Sequence, residues 1–330
     1  MTDKIRWIDN LRAVACMMVV LIHSTSWYVT TGGEPGDNYW EVANILNSAS
    51  RVCVPLFFMI SGYLFFGERQ ARGKHFLRIG LCILFYSVVA LLYMSTLTPM
   101  NPLHAINHIL QKPVFYHLWF FYAIVAIYLL SPLICVRLTS VSYLMAVIVV
   151  LAVIANPNAG DWLVDGRKWF PVNLYVSGDT FYYLLYAITG RALGMVNIPR
   201  NVARAAVGVF VLCVVLIAVG TRQQTEVNGD FAQTFYTYCS PLVFIAATSL
   251  LLVFKNYLNV HVSSGLALIS RHSLAIYGVH ALVIHFLRTH DLELTDYPVL
   301  DIVYVFAVAL MVSLLFSMLL QRVDKRRLIC

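Results

Sequence analysis

The sequence predicts an all-α integral membrane protein with about ten transmembrane helices, folded as a single domain over residues 1–330. Of its 330 residues, 60% are hydrophobic and 12% are charged, and the mean hydropathy is +0.76. Soluble domains are about 45–50% apolar and about 25% charged. The composition therefore excludes a soluble globular enzyme and indicates a chain that crosses the bilayer several times.

Ten apolar runs account for the predicted helices, and most approach the roughly 20 residues that a helix needs to span the hydrocarbon core. The first run is the one around which the others are organised, because it carries the polar residues discussed below. The fifth run is short and the sixth is rich in tyrosine. The runs lie at about residues 11–29, 45–66, 79–97, 118–136, 141–156, 178–195, 204–220, 236–254, 266–287 and 300–320.

The distribution of Lys and Arg orients the chain in the membrane. With the N-terminus in the cytoplasm, 17 of the 23 Lys and Arg residues fall on the cytoplasmic side, and both termini lie there. This asymmetry follows the positive-inside rule. Arg51 is assigned to the outer side, as are Trp162 and Trp169, whose rings are expected to lie at the level of the lipid headgroups.

Charge and cysteine content restrict the partners. We attribute the net charge of +7 to cytoplasmic loops beside anionic lipids, so membrane lipids are expected as partners and nucleic acid is not. Seven cysteines, mostly in apolar runs and without a CxxC spacing, indicate neither a disulfide framework nor a thiolate metal site. His104 and His108 are four residues apart but lack a third ligand nearby, so no metal is predicted.

The first run contains an arginine and a histidine on one face. Arg12 and His23 are eleven residues apart, close to three helical turns, which gives an axial separation of roughly 16 Å. A histidine in hydrocarbon faces a polar cavity or a protein partner and can titrate near neutral pH. His23 is either a structural hydrogen-bonding residue between helices or a catalytic residue, and Arg12 is either a topology anchor or a ligand.

Basic residues crowd the connection that precedes the third run. Arg69 and Arg72 are ordinary signals of a cytoplasmic loop, whereas Arg78 begins an apolar run at the same level as Arg12. Cations at one helix-end level can bind the phosphates of a cytosolic nucleotide-bearing ligand. Lys74 and His75 belong to the same cluster.

Small and polar residues interrupt three other runs. Ser61 lies beside Gly62 in the second run, where small residues favour close helix packing over catalysis. His117-Leu-Trp-Phe120 lies at an outer boundary, where Trp119 is either an anchor or a site residue. Tyr277 and His280 are one turn apart in the ninth run. Polar groups at comparable depth indicate a cavity.

These motifs, taken together and in order, resemble the acyltransferase 3 family of membrane acyltransferases over essentially the whole chain. The order is more specific than any single motif. The motifs are Ile8-Asp-Asn-Leu-Arg12 followed by His23, Val54-Pro-Leu-Phe-Phe-Met-Ile-Ser-Gly-Tyr63, Phe76-Leu-Arg-Ile79, His117-Leu-Trp-Phe120 and Ser273-Leu-Ala-Ile-Tyr-Gly-Val-His280.

The resemblance implies a ten-helix enzyme of the bacterial inner membrane that transfers an acyl group from cytoplasmic acetyl-CoA to a carbohydrate hydroxyl. The acceptor would be a lipid-linked or periplasmic glycan. It implies that His23 is essential, and we expect it to act as a general base, with a covalent acetyl-enzyme as the variant mechanism. Arg12, Lys74 and Arg78 would bind the donor, although Lys74 and His75 stand where the family often has arginines.

The remaining polar residues of the quoted motifs are expected to line the substrate pocket. A competing class is a permease or flippase for a lipid-linked glycan, in which the buried histidines would relay protons or line the substrate path. The pocket residues are Ser61, Tyr63, His117, Trp119, Tyr277 and His280.

Overall fold

The computed structural model describes residues 5–97, 112–137, 140–154, 156, 163–164, 167–168 and 179–330. Apart from turns and loops, the described chain is helical, with two two-residue strands, β1 (Leu163–Val164) and β2 (Arg167–Lys168), which pair antiparallel. Short 3₁₀ turns lie at Tyr116–Leu118 and Thr234–Tyr236. The α-helices are α1 (Arg6–Thr30), α2 (Asn38–Ser50), α3 (Cys53–Phe65), α4 (Gly73–Ser95), α5 (Trp119–Leu130), α6 (Val141–Ile154), α7 (Asp179–Met195), α8 (Arg200–Asn228), α9 (Pro241–Tyr257), α10 (Ser264–Thr289) and α11 (Pro298–Val323).

Within the described residues, seven helical segments are long and apolar enough to cross a membrane. This confirms the all-helical class and is consistent with a multi-pass membrane protein. The apolar helices α5 and α6 are shorter than this criterion allows, so the count of ten and the cytoplasmic termini remain predictions. The seven segments are Arg6–Thr30, Asn38–Phe65, Gly73–Ser95, Arg200–Asn228, Thr234–Tyr257, Ser264–Thr289 and Pro298–Val323.

The second span is longer than its apolar run and is broken. It covers 28 residues, Asn38–Phe65, and divides into α2 and α3 around Arg51 and Val52. Pro55 explains the break, because proline has no N–H to donate to the Arg51 carbonyl and its ring would clash with that carbonyl in a continuous helix. Arg51, which the charge distribution assigned to the outer side, lies at this break within the candidate span, and its side of the membrane remains a prediction.

The predicted run, which began at about residue 45, missed the start of this span at Asn38 because α2 carries buried polar residues. The Asn44 side chain donates to the carbonyl of Ala218 at 2.9 Å. The Asn47 side chain donates to the Thr25 hydroxyl at 2.9 Å. Each amide is satisfied by a neighbouring helix, so α2 is stable inside the protein without an apolar sequence.

Helix α1 is central to the bundle. It contacts α2, α3, α9, α10 and α11, and its side chains Leu11, Ala15 and Val20 are fully buried. A helix surrounded by other helices can carry polar residues that face protein rather than lipid. The position of α1 therefore allows Arg12 and His23 to lie at internal cavities.

Helices α3 and α7 approach closely through two glycines. A Cβ atom added at Gly62 would collide with the backbone of Ala187, and one added at Gly190 would collide with the backbone of Met59. This confirms close helix packing at Gly62. Ser61, the preceding residue, points to a different side and lines a cavity.

We predict that Gly62→Ala destabilises the protein, whereas Gly208→Ala in α8 does not, because beyond the adjacent backbone of α8 no atom of the described chain lies within 4 Å of the position of a Cβ at Gly208. Overpacking typically costs about 1–3 kcal/mol, and a backbone obstacle cannot rotate away. Thermal unfolding of the two variants in the same detergent measures the difference. Equal stability would show that α3 and α7 can separate at little cost.

Candidate active site

Two cavities lie next to each other inside the bundle. The first, of about 560 Å³, is called the arginine cavity, and the second, of about 450 Å³, is called the histidine cavity. Within the described chain, four residues line both and form the wall between them: Val19, Val54, Phe120 and Tyr277. The wall is apolar and aromatic apart from the Tyr277 hydroxyl, which donates a hydrogen bond to the carbonyl of His117.

The arginine cavity is strongly basic. In the described part of the chain, five arginines and one aspartate line it, which gives a formal charge of +4. The aspartate, Asp9, accepts from Arg12 at 3.0 Å and from the Ser270 hydroxyl at 3.4 Å. The five arginines are Arg12, Arg69, Arg78, Arg271 and Arg327.

The structure brings most of the predicted donor residues to this cavity. Arg12 and Arg78, which were predicted to bind the acyl donor, line it, and so do His75 and Ser61, the latter predicted for the substrate pocket. Lys74 is exposed and is not among the lining residues. His75 is held in place because its Nδ1 accepts the Arg72 backbone N–H at 2.8 Å, which caps the first turn of α4.

Residues 324–330 fold back against the arginine cavity, a contact that no sequence pattern predicted. Arg78 donates to the backbone oxygen of Cys330 at 2.9 Å, and the Tyr86 hydroxyl donates to the carbonyl oxygen of Ile329 at 2.6 Å. The Asp324 carboxylate accepts the backbone N–H groups of Leu328, Ile329 and Cys330 at 2.8–3.2 Å. Asp324 therefore organises this tail through backbone contacts.

We predict that Asp324→Ala releases the tail and exposes Cys330, which is 3% exposed. Burial, followed by the hydrogen bond with Asp324, raises the pKa of the Cys330 thiol to about 11, so the native thiol reacts slowly. Maleimide labelling at neutral pH, with the exposed Cys135 replaced by Ser, should rise several-fold. Lys325→Ala, at the exposed neighbouring residue, is the control and should leave labelling unchanged. Unchanged labelling in Asp324→Ala would instead show that the contacts of Arg78 and Tyr86 are sufficient to hold the tail.

Three histidines form a cluster at the histidine cavity. The ring centroids of His23 and His280 are 5.1 Å apart, and those of His280 and His117 are 5.3 Å apart. His23 and His117 line the cavity, whereas His280 is fully buried behind them. Histidines from three distant parts of the sequence thus lie together at one cavity. The polar residues at comparable depth in different runs had predicted such a cavity.

Hydrogen bonds to carbonyl oxygens define the tautomers of two of these histidines. The Nδ1 atom of His280 lies 2.8 Å from the carbonyl oxygen of Tyr277, and the Nε2 atom of His117 lies 3.2 Å from that of Gly278. Carbonyls only accept, so these nitrogens carry the protons. The opposite atoms, His280 Nε2 and His117 Nδ1, are buried without a hydrogen-bond partner among the described residues. Neutral rings would therefore present two acceptors here.

His23 is the most accessible of the three, because it is only partly buried. Its Nδ1 lies 3.5 Å from the hydroxyl of Tyr116, and the two ring centroids are 5.4 Å apart. Tyr116 was not predicted, since a tyrosine before an apolar run resembles any interfacial anchor. An imidazole with one face open to a cavity has the accessibility that a general base needs.

Not every predicted pocket residue lies at a cavity. Trp119 and Tyr277 line the histidine cavity as expected. Tyr63 lies outside both cavities, with its ring 5.1 Å from that of Trp7 and under the guanidinium of Arg191. It points toward α7 because it follows Gly62 on the packed side of α3. His104, His108, Trp162 and Trp169 lie outside the described residues, within which no group of three side chains is arranged as a metal site.

The central helix of this bundle thus lies at two adjacent cavities, one lined by arginines and the other by histidines. The chain belongs to the acyltransferase 3 family: the family described as an acyltransferase domain matches residues 5–322. The resemblance seen in the motifs is confirmed at the level of the family. Membership of this family supports the assignment of the chain as a membrane acyltransferase.

One similar protein is the serine/alanine racemase of Enterococcus gallinarum, which is 28% identical over 202 residues. The match covers 56% of this chain and 26% of the racemase, so the chain matches about a quarter of that relative's length. No solved structure matches the chain. The similarity concerns the matched segment, and the activity in the relative's name is that protein's own.

Proposed function

We propose that this protein is a membrane O-acetyltransferase that transfers acetyl from cytoplasmic acetyl-CoA to a sugar hydroxyl of a cell-envelope polysaccharide. One observation carries the proposal: α1 places Arg12 at the arginine cavity and His23 at the histidine cavity, and the two cavities share a wall. The eleven-residue spacing corresponds to roughly 16 Å along the helix. An extended pantetheine arm suits this distance.

The charge of the arginine cavity supports a nucleotide donor. Coenzyme A carries a 3′-phosphate and a pyrophosphate, and arginine binds phosphate oxygens through paired N–H groups. Five arginines against the single Asp9 match those negative charges. In this proposal the phosphates stay in the arginine cavity, and the uncharged thioester reaches the wall at Phe120 and Tyr277.

The reaction needs one base, and His23 is positioned to supply it. The neutral imidazole accepts the proton of the sugar hydroxyl as the hydroxyl oxygen attacks the thioester carbonyl. The tetrahedral intermediate collapses, the carbon–sulfur bond breaks, and the imidazolium returns the proton to the departing thiolate. The products are an acetylated sugar and coenzyme A with a free thiol. An acetyl-enzyme route would instead show ping-pong kinetics.

The acceptor that we propose is the enterobacterial common antigen, in a lipid-linked or periplasmic form at the bacterial inner membrane. This acceptor is supported by two longer stretches of sequence, residues 47–69 and 110–121. Both resemble the enterobacterial common antigen O-acetyltransferase. An acceptor outside the cytoplasm would enter the histidine cavity, where Trp119 and Tyr277 supply aromatic surface for a sugar ring.

Vesicles with the cytoplasmic face outward test the proposed function. We expect external labelled acetyl-CoA to acetylate glycan enclosed within, without a stoichiometric excess of free acetate, and His23→Ala to abolish transfer at normal protein abundance because the base is missing. Modification restricted to glycan on the acetyl-CoA side would refute the route through the membrane. Passage of glycan without acetylation would favour the transporter, and substantial transfer by His23→Ala would refute the general base.

A second prediction concerns the donor. Arg12→Ala and Arg69→Ala should each raise the apparent KM for acetyl-CoA by about 10–100-fold, since a hydrogen bond to a charged group is worth about 1.5–3 kcal/mol. Lys74→Ala is the matched control, because Lys74 is exposed beside the cavity rather than in it. Steady-state kinetics with both substrates varied measures this. Equal effects on donor and acceptor would indicate a structural role for the arginines.

A further inference from the structure

We propose that Arg51 is the residue that recognises the acceptor, by binding a carboxylate or phosphate group of the glycan in the histidine cavity. The inference rests on the proposed function for the reaction, and it adds a residue that determines which acceptors bind. It comes from the position of one arginine and the charges around it.

Arg51 is a charged residue within an apolar candidate membrane span, a position where charged side chains are rare and usually functional. It occupies the break between α2 and α3, near the middle of the 28-residue span Asn38–Phe65, and it lines the histidine cavity. Charged residues inside membrane spans are costly, so they face polar cavities or pair with opposite charges, and they mark substrate paths. A cation in this position therefore requires either an acidic partner within the protein or an anionic ligand in the cavity.

The contacts of Arg51 are neutral and leave most of its N–H groups free. Its Nε donates to the Asn47 side-chain oxygen at 2.8 Å, and its guanidinium lies 4.1 Å from the ring centroid of Tyr236. Among the described residues no carboxylate forms an ion pair with it. A guanidinium has five N–H donors in a fixed fork. Asn47 and Tyr236 hold the group in one orientation and leave its terminal nitrogens for a ligand.

Arg288, a second arginine that lines this cavity, differs from Arg51 because it is paired with carboxylates. It pairs with Glu293 and, at 3.2 Å, with Asp301. Asp301 is fully buried and also accepts the Tyr28 hydroxyl at 2.8 Å. Arg288 is therefore neutralised within the protein. No Asp or Glu of the described chain lines the histidine cavity, so Arg51 leaves it with an uncompensated positive charge.

Two further features of the same cavity suit an anionic sugar. Helix α3, 13 residues long, begins at Cys53, and Cys53 and Val54 line the cavity, so the positive end of a helix dipole faces the same space as Arg51. His117 lines the cavity, is 1% exposed, and has an Nδ1 without a partner in the described structure. An unpartnered imidazole nitrogen can accept a hydrogen bond from a ligand hydroxyl, and anion donors beside such an acceptor suit a sugar acid or sugar phosphate.

The test compares acceptors that differ only in the anionic group. We use an oligosaccharide that contains hexuronic acid, its carboxyl-reduced neutral form, and the neutral form carrying a glycosyl phosphate, with purified protein in nanodiscs and labelled acetyl-CoA. Wild-type kcat/KM should be about 10–100-fold higher for at least one anionic acceptor than for the neutral one, as expected for a charge-assisted contact. The carboxylate and phosphate arms distinguish the two sources.

Variants assign the preference to Arg51. Arg51→Gln should bring the anionic-to-neutral ratio of kcat/KM close to one, and Arg51→Lys should retain part of it, because charge remains and the fork is lost. Arg222→Gln is the matched control: Arg222 is exposed, pairs with Glu41 and Glu226, and lies away from the cavity. It should keep the wild-type ratio.

The outcomes separate this inference from the proposed function. Transfer to charged and neutral acceptors with equal kcat/KM would overturn the inference and leave the acetyltransferase standing. An equal loss on all acceptors in Arg51→Gln, with the ratio unchanged, would also overturn it and assign Arg51 to the reacting centre. If wild type transfers no acetyl, the proposed function fails, and titration with fluorescent oligosaccharides decides the anion site: binding no tighter for the acidic forms than for the neutral form overturns it.

Discussion

Polar groups inside a membrane-embedded bundle must be satisfied by other parts of the protein, and the structure depends on how helix α1 meets this constraint. Five helices surround α1, so Arg12 and His23 face internal space rather than lipid. Asp9 partners Arg12, and Tyr116 lies against His23. The same face of one helix therefore reaches two cavities of different chemistry, and the neighbouring helices close around it.

The wall between the cavities separates charge from reactivity. Val19, Val54, Phe120 and Tyr277 are apolar or aromatic, so a phosphate cannot cross without losing its hydration, whereas an uncharged acyl thioester can. In the proposed reaction this keeps the nucleotide at the arginines while its acyl end meets His23. At the arginine cavity, the tail contacts Arg78 through Cys330. The position of the tail is thereby linked to the space that the donor would occupy.

Helix breaks and small residues place the remaining groups. Pro55 interrupts the second span and brings Arg51 into the interior, where Asn47 and Tyr236 hold it without neutralising it. On the far side of α3, Gly62 allows α7 to approach to backbone contact. The short helix thus serves packing on one side and lines both cavities on the other. Ser61 and Gly62 therefore have different roles although they are adjacent in sequence: Ser61 lines a cavity and Gly62 allows close packing.

The sequence alone determined the class of the protein, because hydropathy and periodicity are local properties, and the family followed from motifs in a fixed order. It also identified His23, Arg12 and Arg78, whose residue types are unusual in apolar runs. Only the tertiary structure decided that His75 lines the arginine cavity while Lys74 is exposed, that Tyr63 packs against Trp7 and away from both cavities, and that Arg51 lines the histidine cavity. These depend on which helices meet, on where Pro55 breaks the chain, and on partners such as Asp301 that lie far away in sequence. A cavity is made by contacts between helices, and no single run of residues contains that information.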